Sequence, residues 1–160
     1  MVLGIFFDIQ KAFDVCDHGI LLHKLYNYGI CGLMNDWFKS FLQNRRQYTV
    51  VNGVKSAIGN IVCGVPQGSV LGPLLFLIYV NDITSELEDN KLKLFADDTN
   101  LFLSGRCVNE LESKANACLT KMHDWFLANK LSLNIDKTCY ILFSNRQSGP
   151  CGLQLKFIYK

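Results

Sequence analysis

Three aspartates occupy positions in the sequence where their carboxylates could act together. Asp8 ends an otherwise apolar run, and Asp97 and Asp98 are adjacent at the centre of a segment in which polar and apolar residues alternate. Clustered carboxylates repel one another unless a cation neutralises them. Oxygen ligands of this kind suit Mg²⁺, and two such ions about 3.5–4 Å apart form a clamp for in-line displacement at phosphorus. The residue types therefore predict that chemistry, provided that the three side chains meet.

The same aspartates also have a simpler interpretation. Aspartate is favoured in tight turns, so Asp97 and Asp98 could be turn residues and Asp8 could simply end a strand. Short motifs of this kind are not specific when they occur alone. The choice between the two interpretations depends on whether the fold brings Asp8 beside the other two residues.

The segments around the aspartates predict a mixture of strands and helices. Residues 2–9 form a dense apolar run that predicts a buried strand, and the Asn52-Gly53 pair predicts a hairpin within residues 47–62. Alternating residues predict a second hairpin, and a final strand follows near the C-terminus: these are residues 91–104 and 139–143. Apolar residues at spacings of three and four predict four helices: these are residues 21–28, 33–42, 70–88 and 111–126.

The order of these elements predicts an α+β fold. With the hairpin at Asn52-Gly53 set aside as an insertion, and the three helices before residue 91 counted as one helical segment, the order is strand, helix, strand, strand, helix, strand. This is the split β-α-β, ferredoxin-like order, with an antiparallel sheet and helices on one face. The first and third strands are neighbours in that arrangement. We therefore expect Asp8, Asp97 and Asp98 to meet at one end of the sheet.

The composition limits the class of protein. The chain has 160 residues, 49% of them hydrophobic, and a net charge of +2, which fit one globular domain and neither require nor exclude a polyanionic partner. Seven cysteines without a CxxC pair predict free thiols in a reducing compartment. The longest apolar run, residues 70–80, is too short to span a bilayer, and the start lacks a signal-peptide pattern. We expect a protein of the cytoplasm, the nucleus or both, neither secreted nor bound to a membrane.

Four motifs occur in a fixed order along the chain: FFDIQKAFDVCDH, GVPQGSVLGPLLFLIYVND, FADDTNLF and LSLNIDKT. Together they resemble the palm motifs of reverse transcriptases from non-long-terminal-repeat retrotransposons of the LINE type, jockey-like in kind, from about residue 3 to residue 143. The resemblance implies a polymerase palm that extends a DNA primer on an RNA template with deoxynucleoside triphosphates. It also implies two Mg²⁺ ions, with Mn²⁺ as an alternative.

The resemblance gives the acidic residues and one lysine catalytic roles. Asp8, Asp97 and Asp98 match the metal-binding aspartates of the family. Lys137, in LNIDKT, matches a lysine that protonates or electrostatically stabilises the departing pyrophosphate. The simpler interpretation of Lys137 is a solvated loop lysine, as most lysines are.

The resemblance also implies substrate contacts. Phe13 matches an aromatic steric gate against a ribose 2′-hydroxyl, although it could be only a core aromatic residue. Gln67 and Gly68, in the PQG loop, match residues that lie against the incoming nucleotide, where glycine lets the backbone approach closely. Arg45 and Arg46 match a segment that touches template or primer phosphates, and they could equally be favourable partners for a helix dipole.

The resemblance predicts the organisation of the chain as well. The family places a fingers segment before the first aspartate, whereas seven residues precede Asp8 here. We expect residues 1–144 to be a palm with fingers and thumb largely missing, residues 145–160 to be a frayed or partial C-terminal segment, and the isolated piece to be inactive. The alternatives are an inactive retroelement relic or non-catalytic nucleic-acid-binding module, and the palm of a group II intron or telomerase enzyme.

Overall fold

The computed structural model describes residues 1–87, 92–144 and 153–157. The chain forms two compact units. We call Met1–Gln10 with Asn81–Lys160 the sheet unit, and Lys11–Val80 the helix unit. In chain order the elements are β1 (Val2–Phe7), α1 (His18–Asn27), α2 (Leu33–Leu42), β2 (Arg45–Gln47), β3 (Val50–Val51), β4 (Val54–Lys55), β5 (Gly59–Ile61), α3 (Leu71–Val80), β6 (Leu92–Phe95), β7 (Asp98–Ser104), α4 (Val108–Ala128) and β8 (Cys139–Phe143).

The sheet unit is built on a four-stranded sheet with the strand order β6-β7-β1-β8. Every neighbouring pair is antiparallel. The first strand therefore lies beside the third strand of this sheet, β7, as the element order predicted. The structure confirms a mixed fold of helices and antiparallel sheets.

The register of β1 against β7 separates a buried face from an open one. Val2 lies opposite Ser104 and Phe7 opposite Thr99. The side chains on one face of the two strands are buried: Leu3, Ile5, Phe7, Thr99, Leu101 and Leu103. Helix α4 packs on this sheet unit with an apolar stripe that repeats every three or four residues: Leu111, Ala115, Leu119, Met122 and Phe126.

The helix unit contains three helices and two small two-stranded sheets. The Asp17 carboxylate accepts a hydrogen bond of 3.0 Å from the Ile20 N–H and so caps the start of α1. Strand β3 pairs with β4 across Asn52 and Gly53, which have φ angles of 50° and 81°. Two left-handed residues in a two-residue loop are typical of the turn that Asn-Gly favours, so the predicted hairpin is confirmed. The flanking strands β2 and β5 extend it.

The helix predicted over residues 70–88 is shorter than expected. The α-helix ends at Val80, and Asn81–Glu86 continue as a 3₁₀ segment. The Thr84 hydroxyl donates to the Asn81 carbonyl at 2.9 Å, and the Ser85 hydroxyl to the Asp82 carbonyl at 2.5 Å. Such local side-chain bonds compete with regular helix bonds. Residue 88, the predicted end, lies outside the described residues.

The predicted C-terminal segment, residues 145–160, is described only for residues 153–157. Leu153 is buried, and the backbone N–H of Lys156 donates to Asn116 Oδ1 of α4 at 2.8 Å. These five residues therefore run along α4. Among the helices that the structure describes, none is both long enough and apolar enough to cross a membrane.

Candidate functional site

Asp8 and Asp98 lie at the same end of the sheet. Phe7 is the last residue of β1 and is paired with Thr99, and the next residue towards that end on each strand is an aspartate. Opposite residues of an antiparallel pair have Cα atoms roughly 4.5–5.5 Å apart, so the two aspartates are close neighbours. Thr99 is buried whereas Asp98 is exposed, which puts the Asp98 carboxylate on the face away from the core.

Asp97 lies at the tip of the hairpin that joins β6 to β7. Phe95 pairs with Asp98, so Ala96 and Asp97 alone form the turn. Ala96 has a φ of 53°, a left-handed conformation that a two-residue hairpin requires but a residue with a Cβ atom rarely adopts. This tight turn places Asp97 and Asp98 next to each other, beyond the end of β1.

The backbone of Asp8 is tied to the segment that contains Lys137. The Asn134 N–H donates to the Asp8 carbonyl at 2.7 Å, and the Asp8 N–H donates to the Thr138 hydroxyl at 3.3 Å. The Thr138 hydroxyl in turn donates to the Asn134 carbonyl at 2.8 Å, which closes the turn. Lys137 is exposed in this turn. The structure thus brings Lys137 near the same end of the sheet as Asp8.

Among the described residues, none pairs with the charge of the three carboxylates. In the described part of the chain, none of Asp8, Asp97 and Asp98 has a side-chain hydrogen bond or an ion pair. Asp8 is half-buried and the other two are exposed. Carboxylates at one edge of a sheet have the donor chemistry that suits a hard divalent ion. No group of three His, Cys, Asp or Glu side chains in the described ranges is arranged to hold a metal ion as it stands.

Phe13 and Gln67 lie in the helix unit, where the PQG loop docks on the KAFD segment. The Phe13 ring is half-buried and packs on Phe76 with ring centroids 4.6 Å apart. The Val65 N–H donates to the Phe13 carbonyl at 2.8 Å. Gln67 Nε2 donates to Asp14 Oδ1 at 2.8 Å. The two predicted substrate residues are therefore linked through hydrogen bonds of one short segment.

Two glycines of the PQG loop differ in their surroundings. Gly64 has a φ of +86°, and a Cβ atom there would lie 2.7 Å from the Asp14 carbonyl oxygen. Its own carbonyl is 2.9 Å from Nε2 of buried His18, which must donate because a carbonyl only accepts. Gly68 has a φ of +82° with nothing within 4 Å of a Cβ position. Close approach thus requires glycine at Gly64, and backbone conformation alone favours it at Gly68.

The two arginines that were predicted to bind phosphate, Arg45 and Arg46, point to opposite faces of β2. Adjacent residues of a strand point to opposite faces, and Arg45 but not Arg46 lines a polar groove of about 630 Å³ in the helix unit. Lys11, Asp14 and Gln67 line the same groove. Within the described residues the Arg45 guanidinium has no carboxylate partner.

Sequence reasoning missed two residues that organise these sites. Asp14 holds Gln67, and Thr138 ties the Lys137 turn to Asp8. Asp14 directly follows Phe13, and Thr138 directly follows Lys137. Their places within the same motifs were therefore the one sequence signal that could have identified them. Hydrogen bonds between residues 53 and 130 positions apart cannot be read from local patterns.

One ionisable group beside the groove has a shifted pKa. Burial raises the pKa of the Cys16 thiol to about 12, although a backbone hydrogen bond partly opposes the shift. Its Sγ atom donates to the Ala12 carbonyl at 3.3 Å. A thiol with so high a pKa stays protonated at neutral pH and is a poor nucleophile. Cys16 is a core residue of the turn that carries Phe13.

The family described as reverse transcriptase (RNA-dependent DNA polymerase) matches residues 2–155 of the chain. The chain belongs to this family. The resemblance inferred from the four motifs is confirmed by its relatives. The chain is 32% identical over 163 residues to the RNA-directed DNA polymerase from mobile element jockey of Drosophila melanogaster, and the alignment covers 96% of this chain. It is 31% identical over 160 residues to the probable RNA-directed DNA polymerase from transposon BS of the same species, covering 92% of this chain.

The match covers a small part of those relatives. The chain spans 17% of the length of each of the two. One of these relatives is an RNA-directed DNA polymerase of a mobile element and the other is a probable one, and the residues that the family matches include all four motifs.

Two solved structures share the fold. Telomerase from Candida albicans, in complex with a fragment of telomeric RNA, superposes with a TM-score of 0.66 at 13% identity over 93% of this chain and 27% of that one. Apo telomerase from Candida tropicalis gives a TM-score of 0.63 at 15% identity over 92% of this chain and 32% of that one. The arrangement of helices and antiparallel strands is therefore similar to that of the matched part of the two telomerases.

Proposed function

We propose that this chain carries the palm and nucleotidyl-transfer centre of an RNA-directed DNA polymerase. The observation that supports this most strongly is the register of β1 and β7, in which Asp8 and Asp98 follow the pair Phe7 and Thr99 at one sheet end. In this proposal residues 1–144 form the palm, with fingers and thumb largely missing, and residues 145–160 form a partial C-terminal segment. Its four-stranded sheet has the split β-α-β order of a ferredoxin-like fold.

Asp8 and Asp98 are the proposed principal metal ligands, and Asp97 completes the set. Mg²⁺ in proteins usually takes one or two carboxylates and leaves room for phosphate oxygens, so a neighbouring pair is a suitable ligand set. A bound pair of Mg²⁺ ions, or of Mn²⁺ ions, would neutralise charge on the attacking 3′-hydroxyl oxygen and on the leaving pyrophosphate. The backbone that carries these side chains is held in position by β1, β7 and the turn at Ala96.

Lys137 is the proposed partner of the departing pyrophosphate. It is exposed in a turn whose backbone is hydrogen-bonded to Asp8 through Asn134 and Thr138. An ammonium group near developing negative charge stabilises it and can supply a proton. The role needs only that the Lys137 side chain extend from the turn towards the carboxylates.

Phe13, Gln67 and Gly68 are the proposed nucleotide contacts. The Phe13 ring packs on Phe76, and the Phe13 backbone carbonyl accepts the bond from the Val65 N–H; a ring restrained in this way would exclude a ribose 2′-hydroxyl. Gln67 lies at the wall of the groove, and Gly68 presents a backbone without a side chain. A rigid ring and a bare backbone together favour deoxynucleoside triphosphates.

Arg45 and Arg46 are the proposed contacts to the phosphates of the RNA template and the DNA primer. Both belong to β2, and they extend to opposite sides of the strand. Arginine binds phosphate oxygens through its planar set of donors. Such substrates imply that the enzyme works in the cytoplasm, the nucleus or both.

The proposal is tested by primer extension on an RNA template. Because the chain spans 17% of its relatives, the assay uses the complete reading frame that encodes it. We expect Asp98→Asn to lower the rate at least about 100-fold, because a lost metal ligand cannot be replaced. Asp124→Asn, an exposed aspartate on α4, is the matched control and should retain the rate. A loss of less than about tenfold in Asp98→Asn would contradict the metal role.

A non-catalytic nucleic-acid-binding module is the second candidate. The observation that favours it is that no three acidic, histidine or cysteine side chains in the described ranges are arranged to hold a metal ion. This function predicts RNA binding that weakens steeply with salt, but no extension of the primer in any divalent ion. Extension by the wild type that Asp98→Asn abolishes would exclude it.

A further inference from the structure

The hydrogen bond between Gln67 and Asp14 determines how Gln67 faces the groove. We infer that Asp14 is a positioning residue, which holds the Gln67 amide with its NH₂ group inward and its carbonyl oxygen Oε1 free for a ligand. This inference rests on the proposed function and adds to it the residue that sets the polarity of the nucleotide contact. Asp14 itself is not assigned a contact with the substrate.

The orientation of the amide follows from what each group can do. The two ends of a glutamine amide are alike in shape and are normally assigned from their partners. An ionised carboxylate only accepts hydrogen bonds. At 2.8 Å from Asp14 Oδ1 the partner atom must therefore be Nε2, which donates. Oε1 of Gln67 is left as the end that can face a ligand, and it can only accept.

Asp14 is itself held firmly enough to act as a reference point. It ends a 3₁₀ turn, in which its N–H donates to the Lys11 carbonyl at 2.7 Å. Its carbonyl accepts a bond of 3.3 Å from Cys63 Sγ and lies where a Cβ atom of Gly64 would be. The Gly64 N–H donates to the Cys16 carbonyl at 2.7 Å. The loop that carries Gln67 is thus fastened to the segment that carries Asp14 on both sides.

The surroundings indicate the chemistry of the ligand. Lys11 and Arg45 line the groove together with Asp14 and Gln67, so an anion meets two cations and one carboxylate that is already engaged. An acceptor at Oε1 requires a donor on the ligand, which means a hydroxyl or an amino group. A nucleotide carries both features, with phosphates for the cations and sugar hydroxyl or base amino groups for Oε1.

A double-mutant cycle tests the inference in the complete reading frame. Gln67→Glu places a second carboxylate against Asp14, and the two repel; we expect the KM for deoxynucleoside triphosphate to rise at least about tenfold. In Asp14→Asn/Gln67→Glu the new amide donates to the new carboxylate, so an accepting oxygen again faces the groove. We expect that double variant to recover to within about threefold of the wild type.

A charge-matched control separates the hydrogen bond from simple electrostatics. Asp14→Ala/Gln67→Glu gives the groove lining the same net charge as Asp14→Asn/Gln67→Glu, but it has no amide at residue 14 that could donate to the new carboxylate. We expect no recovery of KM in this variant. Equal recovery in both double variants, or no recovery in either, would overturn the positioning role.

A second measurement does not depend on activity. In the NMR spectrum of the 160-residue chain, the bonded proton of the Gln67 NH₂ group should lie downfield of the range that is usual for solvated glutamine side chains. Asp14→Ala should move this signal upfield into that range, whereas Asp136→Ala, at an exposed aspartate, should leave it in place. An unchanged Gln67 signal in Asp14→Ala would contradict the inference. A wild type that never extends a primer would instead refute the proposed function, so the two failures are distinguishable.

Discussion

The end of the four-stranded sheet and the PQG loop position their functional side chains in opposite ways. At the sheet end, register alone puts Asp8 beside Asp98, and in the described part of the chain neither carboxylate has a side-chain partner. In the PQG loop, Gln67 is hydrogen-bonded to Asp14, and Gly64 packs against the same residue. Backbone pairing thus assembles the sheet end, where the carboxylates have no partner among the described residues. In the PQG loop, by contrast, the polar side chain of Gln67 has a hydrogen-bond partner within the protein.

This difference predicts how substitutions at each site should affect activity and stability. Side chains without partners contribute little to folding, and adjacent carboxylates even oppose it. Their removal should therefore affect chemistry and not stability. Side chains or glycines that fasten a loop contribute to both, because a loop that loosens loses its shape. The two sites should respond differently when activity and stability are measured on the same variants.

The largest expected effect is at the sheet end. Asp8→Asn should lower primer extension at least about 100-fold while leaving the free energy of unfolding unchanged or slightly higher, because it removes repulsion. Urea denaturation of the same preparations measures the second quantity. A loss of more than about 1 kcal/mol of stability would show that Asp8 has a structural role and would remove the contrast with the loop.

The next effect is at the PQG loop, where two glycines make a matched pair. Gly68→Ala should cost about 1–2 kcal/mol, because only its left-handed backbone is strained. Gly64→Ala carries the same backbone strain and adds a clash with the Asp14 carbonyl, so we expect a loss of more than about 3 kcal/mol. Equal losses in urea denaturation would mean that the loop yields at Gly64 and is not fastened there.

A smaller effect distinguishes the two arginines of β2. Arg45 lines the groove and Arg46 does not. If a strand of nucleic acid follows the groove, Arg45→Gln should reduce the slope of log affinity against log salt by about 0.7, the value for one phosphate of a single strand. Arg46→Gln is the control in the same strand. A larger change in Arg46→Gln would place the phosphates on the other face.

Much of the sheet end could be predicted from the sequence, because its cause is local. Alternation around Asp97 and Asp98 predicts a hairpin, and a dense apolar run predicts β1; the strand order then brings Asp8 beside them. Strand periodicity survives in any tertiary setting in which one face is buried.

The helix unit was harder to predict because its decisive contacts are not periodic. The Asn52-Gly53 turn was found from its residue types, but the bond from Gln67 to Asp14 spans 53 positions. The end of α3 was misplaced because the hydroxyls of Thr84 and Ser85 take carbonyls that a longer helix would use. A hydrophobic pattern does not report such competition.

The smallest expected effect comes from a carboxylate of the sheet unit that does have partners. Glu110, in the first turn of α4, accepts 2.6 Å from Lys114 Nζ and 2.8 Å from the Arg106 N–H, and these bonds, the one from Lys114 foremost, lower the pKa of its exposed side chain. A carboxyl group with a lowered pKa in the folded state stabilises the protein above its unfolded pKa of about 4.3, and this contribution disappears as pH falls through the folded pKa.

Glu110→Gln should therefore lower the midpoint of urea denaturation at pH 7, and the difference from the wild type should vanish in acid. Asp98→Asn, whose carboxylate has no such partner, should show no loss at pH 7. A similar pH-dependent loss in both variants would mean that Asp98 is also satisfied internally, and the two classes of carboxylate in the sheet unit would then be one.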